Sequence, residues 1–143
     1  MGAISLEAVR AANKLAEENI GAEVIVLRTV APLDDSLILN SIRRTGHLVV
    51  VDQGTLTAGF AAEIVARVTD KAFTDLKSAP ELITLPDVPA PATRALSNYY
   101  YPTISHIVAA GLRQHGRTMS NRYESVRPQD LLDIPDRTFT GPF

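Results

Sequence analysis

The stretch "HLVVVDQGTLTAGFAAEI", His47 to Ile64, decides how this chain is read. Three consecutive valines, Val49 to Val51, lead into a loop with Gly54 and Gly59, and an apolar-periodic segment follows. Strand, glycine loop and helix make one βα unit, and the same layout can cradle a phosphate. A Walker loop reads G-x-x-x-x-G-K-[ST], because backbone N–H groups hold the phosphates, Lys neutralises them and the hydroxyl binds Mg²⁺. Gly54 and Gly59 have that separation, but Phe60 and Ala61 follow, so the charge and the metal ligand are both absent. No dinucleotide fingerprint, G-x-G-x-x-G, is present either. The glycines read as a tight turn that lets a helix pack closely on a strand. Anion binding by the Gly54–Gly59 loop, through the helix dipole, is the alternative.

Working outward, the same cycle repeats. Ser5 is a suitable N-cap for a first helix, with Glu7 in its first turn. Ala8, Val9, Ala12, Leu15 and Ala16 form an apolar stripe at helical spacing, and Gly21 is the expected stop. "AEVIVLRTV", Ala22 to Val30, predicts a strand buried on both faces, as in a parallel sheet. Pro32 ends it, and Asp34 or Asp35 caps a short helix through Leu37, Ile38 and Ile42 that stops by Gly46. After the glycine loop, Ala61, Ile64, Val65, Val68, Ala72 and Leu76 share one side of a long helix. "ELITLPDV" is a further extended segment, and "VPAPATRALSNYYYP" reads as a Pro-punctuated loop. Thr103 opens a last helix with Ile104, Ile107, Val108 and Leu112 inward. Strands alternating with helices predict an α/β fold, a mostly parallel sheet with helices on both faces. The domain spans residues 1–112, and residues 113–143 read as an extended tail.

Composition narrows the function. A chain of 143 residues is one domain, long enough to bury about two-thirds of its unfolded surface. Fourteen basic and sixteen acidic residues give a net charge of −2, which argues against nucleic acid as a partner. The absence of cysteine removes disulfides, thiolate metal sites and a Cys nucleophile, and fits a reducing cytoplasm. No secretory pattern opens the sequence, and no apolar run approaches a membrane span, so a cytoplasmic protein is expected.

Few residues offer chemistry. Ser97 and His106 lie close in sequence, but no G-x-S-x-G elbow accompanies them. His47, His106 and His115 lack metal-ligand spacing. Catalytic, cofactor-binding and metal residues are therefore all expected to be absent. Glu63, in an otherwise apolar helix, is expected to form a structural ion pair with Arg28. Tyr99, Tyr100 and Tyr101, with Phe143 at the terminus, are candidate contacts for a partner.

Three stretches then follow one another in a familiar order: "AEVIVLRTVAPLDDSLILNSIRRTGHLVVVDQG", "GFAAEIVARVTDKAFTDLKSAPELITLPDVPAPA" and "YYYPTISHIVAAG". From about Gly2 to Leu112 the chain resembles the C-terminal domain of the beta subunit of thiamine-diphosphate-dependent 2-oxo acid dehydrogenases, which has the transketolase C-terminal fold. The specific marks are "LRTVAPLD", the "GFAAEI" helix start and the paired prolines of "DVPAPA". The resemblance implies that thiamine diphosphate and Mg²⁺ belong to other domains of the parent enzyme, with none bound by this chain. It implies subunit association, with a thiamine-binding domain, an alpha subunit or a second copy, and docking of an acyltransferase core. The diphosphate signature, Gly-Asp-Gly with paired asparagines downstream, has no counterpart here.

The chain departs from that pattern at its start. Family members open this domain with an apolar strand ending in glycine, and Gly2 stands where that strand would end. Without it, two neighbouring strands are expected to lack ladder partners and an apolar slot to lie open. The tail after Leu112 has no counterpart in the pattern. Two readings result: a non-catalytic assembly domain, or a small-molecule binder using the Gly54–Gly59 loop with Arg28 and Arg94.

Overall fold

The fold is built on one parallel pair of strands. The computed structural model describes residues 4–118, apart from the side chains of residues 94, 95 and 98. Strand β1 (Val49–Thr55) and strand β2 (Glu81–Leu85) pair in parallel, with Val49 opposite Glu81 and Val51 opposite Ile83. Helix α3 (Phe60–Ala72) and a short 3-10 turn (Phe73–Asp75) connect them. Parallel pairing requires such a crossover.

Helices cover both faces of this pair, because side chains alternate along a strand. Val51 and Ile83 pack with Ala11 and Leu15 of α1 (Ile4–Glu17) and Ile107, Val108 and Leu112 of α5 (Ile104–Gln114). Val50 and Leu48 pack on the other side, with Ile38, Leu39 and Ile42 of α2 (Ser36–Thr45) and Ile64 and Val68 of α3. The result is three layers with two apolar clusters, one above and one below the sheet. Gly111 lets α1 and α5 approach closely, since a Cβ there would stand 2.6 Å from a methyl of Leu15.

The helix ends follow local chemistry. Gly46 takes φ +78° and its N–H bonds the Ile42 carbonyl, ending α2. Thr103 caps α5 within a capping box whose partner, at the third helical position, is His106. At α1 the reading is corrected: the helix stops at Glu17, and Asn19, with φ +60°, takes the left-handed turn assigned to Gly21. A polar Asn tolerates that region because its short side chain bonds locally.

Two further expectations are overturned. Residues 94–100, read as loop, form a short helix α4 (Arg94–Tyr100). The apolar segment 22–30 joins no ladder: it is extended, but residues 21–30 make no backbone hydrogen bond to other described residues. Val26 is 48% exposed and Val30 is 44% exposed. Side chains alone hold the segment down, Leu27 in the lower cluster and Glu23 on Ser41 Oγ at 2.7 Å and on Arg44. The folded part also runs past Leu112, since Arg117 Nη2 bonds Glu18 Oε2 at 2.7 Å and Arg117 Nη1 the Glu18 carbonyl at 2.8 Å.

Candidate functional site

The open feature of the molecule lies between segment 22–27 and β1. A cavity of about 420 Å³ runs there, roofed by Ala8 and Ile107 and floored by Ile38 and Ile64. One wall is the extended run Ala22–Leu27, and the other is Leu48–Asp52. The hydrogen-bond directions of β1 show that this wall is a sheet edge without a ladder partner among the described residues. The Leu48 carbonyl accepts from the Glu81 N–H at 3.0 Å, so Leu48 and Val50 turn their polar groups to β2. Alternation then points the N–H and C=O of Val49 and Val51 into the cavity. None of the residues of β1 is fully buried, although its sequence is that of an interior strand.

A polar chain closes one end of this cavity. Gln114 Nε2 donates to the Ala79 carbonyl at 2.7 Å, which leaves Gln114 Oε1 to accept the Ser78 hydroxyl at 2.5 Å. With its only proton committed, Ser78 Oγ accepts from His47 Nδ1 at 2.9 Å. The His47 ring lies against the His115 ring, centroids 4.4 Å apart. Burial, then the charges of His115 and Lys77, lower the His47 pKa, and its link to Gln114 opposes them. His106 is also lowered, by burial first and Arg113 second, and its Nδ1 accepts from the Thr103 N–H at 3.0 Å. Sequence reasoning placed His106 on a helix and missed the cap, because a capping box is sought as Glu or Gln.

The Gly54–Gly59 loop is engaged internally. A Cβ on Gly59 would meet the Thr55 carbonyl oxygen at 2.1 Å, so the helix start lies directly on the strand end. The Asp87 carboxylate accepts the Thr57 N–H at 3.0 Å and the Thr57 hydroxyl at 2.6 Å. Those two bonds, side chain first, hold the Asp87 pKa below the usual carboxylate value. An anion arriving here would meet a charge of its own sign. Among the described residues, no three His, Cys, Asp or Glu side chains stand together as a metal would need. The Gly54–Gly59 loop, with Asp87 bonded to Thr57, therefore does not fit a diphosphate.

Glu63 has a different partner from the one expected. Its carboxylate takes Arg67 Nε at 2.6 Å, one helical turn on, and Arg28 forms no ion pair with a described residue. Asp35, placed at the start of α2, bonds Lys71 at 2.5 Å and so ties α2 to α3. Tyr99 is 87% exposed on α4, and the Tyr100 and Tyr101 rings stand edge to face at 5.0 Å. Leu96 and Val88 are also more than half exposed. Phe143 and the Arg94 side chain lie outside the described residues.

A parallel strand pair with helices on both faces defines this as a three-layer α/β domain of the doubly wound kind. Residues 1–107 match the family described as transketolase, C-terminal domain, and the chain belongs to that family. It is 41% identical over 103 residues to the acetoin:2,6-dichlorophenolindophenol oxidoreductase subunit beta of Cupriavidus necator, covering 72% of this chain and 30% of that protein. It is 44% identical over 106 residues to the pyruvate dehydrogenase E1 component subunit beta-1, mitochondrial, of Arabidopsis thaliana, covering 74% and 29%. The corresponding beta subunit of Acholeplasma laidlawii is 37% identical over 108 residues, covering 76% and 33%. The chain thus spans about a third of the length of the relatives it matches.

Proposed function

We propose that this chain is the non-catalytic assembly domain of a 2-oxo acid dehydrogenase beta subunit. It associates with the thiamine-binding domain and alpha subunit, and it offers a docking surface to the acyltransferase core. Thiamine diphosphate and Mg²⁺ are held by those companions, and oxidative decarboxylation is the work of the whole complex. Cytoplasmic residence is part of the same reading; among the described residues no helix is long and apolar enough to cross a membrane.

The observation that carries this is the state of the apolar surface. Val26, Val30, Leu96 and Tyr99 are exposed beside two buried apolar clusters. Large apolar patches at a surface mark sites of association. Relatives of three times the length supply the polypeptide that such surfaces would meet. The test is co-elution: the purified chain is mixed with the thiamine-binding domain of a beta subunit and sized. A complex supports the reading, and a lone monomer at all concentrations contradicts it.

A small-molecule role for the Gly54–Gly59 loop has less support. Asp87 occupies the Thr57 N–H and hydroxyl, and Arg28 lies exposed on a different segment.

A further inference from the structure

We propose that His47 and His115 form a reversible two-imidazole site for a divalent transition ion such as Zn²⁺, bound through the Nε2 atom of each ring. The site joins the segment leading into β1 to the end of α5, which are far apart in sequence. It goes beyond the assembly reading and does not depend on it. The ring centroids are 4.4 Å apart and the planes 30° from parallel. Two Zn–N bonds of about 2.0–2.1 Å span up to roughly 4 Å, a distance that rings so placed can offer. His115 is exposed, so its ring can turn to close the remainder.

Hydrogen bonds decide which nitrogen of each ring is available. A metal takes the lone pair of a neutral imidazole, while the other nitrogen carries the proton. The Gly111 carbonyl can only accept, and it lies 3.1 Å from His115 Nδ1, so that nitrogen is the N–H. The chain from Gln114 gives the same result for His47. There the Ser78 hydroxyl donates to Gln114 Oε1 at 2.5 Å and accepts from His47 Nδ1 at 2.9 Å. Both rings therefore keep a lone pair on Nε2. Metal-ligating histidines are held in this way, by a carbonyl or another acceptor on the opposite nitrogen. His106 has the reverse arrangement, since its Nδ1 accepts the Thr103 N–H and its Nε2 keeps the proton.

The surroundings select the ion. Burial, then His115 and Lys77, lower the His47 pKa, so this ring is neutral at neutral pH. Lys77 opposes any cation, but its Nζ is turned to the Thr45 carbonyl at 3.3 Å. Glu81, 3.4 Å from Gln114 Nε2, brings a negative charge from β2 that it shares with Arg113. Imidazole nitrogen suits Zn²⁺ and Cu²⁺, whereas Mg²⁺ asks for oxygen. A resident metal centre needs at least three protein ligands, and no such group stands together among the described residues. Two imidazoles, with water completing the sphere, make an exchangeable site filled according to the free ion. The bound ion ties α5 to the approach of β1 and stabilises the fold by mass action.

The experiment is a titration of the full chain with Zn²⁺ near neutral pH, followed by the nitrogen NMR signals of the histidine rings. Those signals report tautomer and ligation separately. In the free chain His47 and His115 should carry the proton on Nδ1, and one Zn²⁺ per chain should shift both Nε2 signals together. His115→Ala, at an exposed position, keeps the fold and should weaken zinc binding at least about tenfold, as should His47→Gln. Ser78→Ala leaves both ligands in place but releases the His47 tautomer. It should cost about tenfold in affinity and redistribute the His47 ring signals. His106→Gln should leave zinc binding unchanged, and Mg²⁺ should shift neither Nε2. Acidification should release the ion, because protons compete for the same lone pairs. Zinc binding that survives His115→Ala, one ion shared by two self-associated chains, or a proton on Nε2 of either free ring would overturn the proposal. No shift of either ring at millimolar zinc would overturn it as well. Co-elution with the thiamine-binding domain reads the assembly account independently, so the two fail separately.

Discussion

The rings of His47 and His115 stand with centroids 4.4 Å apart and planes 30° from parallel, at the end of the slot where β1 begins. His47 resists protonation, through burial first and then through the charges of His115 and Lys77. His106 resists it too, through burial and Arg113. Both folded values are lowered, so the unfolded chain binds protons more readily. The stability these groups contribute is full above the ordinary value of 6.5 and is lost as pH falls through the lowered folded values. Melting temperature should therefore drop on acidification through the histidine range. His106→Gln keeps an acceptor for the cap without a titrating ring, and its melting curve should depend less steeply on pH. An unchanged slope would remove His106 from the account.

Gly59 is predicted to be sensitive for steric reasons alone. Its φ of −76° is open to any residue, so the cost of Gly59→Ala is the collision with the Thr55 carbonyl. Overpacking of this kind costs about 1–3 kcal/mol, read from the urea midpoint. Gly21 has nothing within 4 Å of a Cβ, and Gly21→Ala should change stability by less than about 0.5 kcal/mol. Equal effects at both sites would contradict this view of the loop.

Calorimetric titration with phosphorylated sugars and nucleotides should give no binding heat, because the Asp87 carboxylate already holds the Thr57 N–H and hydroxyl. Saturable heat that vanishes on Gly59→Ala would revive the anion reading.

Tyr99 separates association from folding. At 87% exposure it contributes nothing to the core, so Tyr99→Ala should leave stability within about 0.5 kcal/mol. As an aromatic anchor, its loss should weaken association by about tenfold or more, measured by sizing across a concentration series. An unchanged association constant would remove α4 from the interface.

Much of the architecture was legible because it is written in local patterns. Ile38 and Ile42, then Ala61, Ile64 and Val68, recur at helical spacing and are buried. Gly46 ends its helix as expected, in the left-handed conformation. What escaped the sequence depends on distant residues. The valines of segment 22–30 are strand-formers, but a ladder needs a neighbour, and none of the described residues takes that place. Arg28 is no partner for Glu63, since Arg67 one turn away reaches it first. Asp87 lies thirty residues beyond Thr57, and only the fold brings them together. The prolines around α4 disguised a helix that they flank rather than interrupt.

The central claim is that these residues form a scaffold which other polypeptide completes, and complementation tests it most directly. A beta subunit lacking this region is combined with its alpha subunit, thiamine diphosphate and Mg²⁺, and decarboxylation of a 2-oxo acid is followed. The account predicts no turnover by the 143-residue chain alone and restored turnover when it joins the truncated enzyme. Turnover by the chain without companions, or no change when it is added to them, would contradict it.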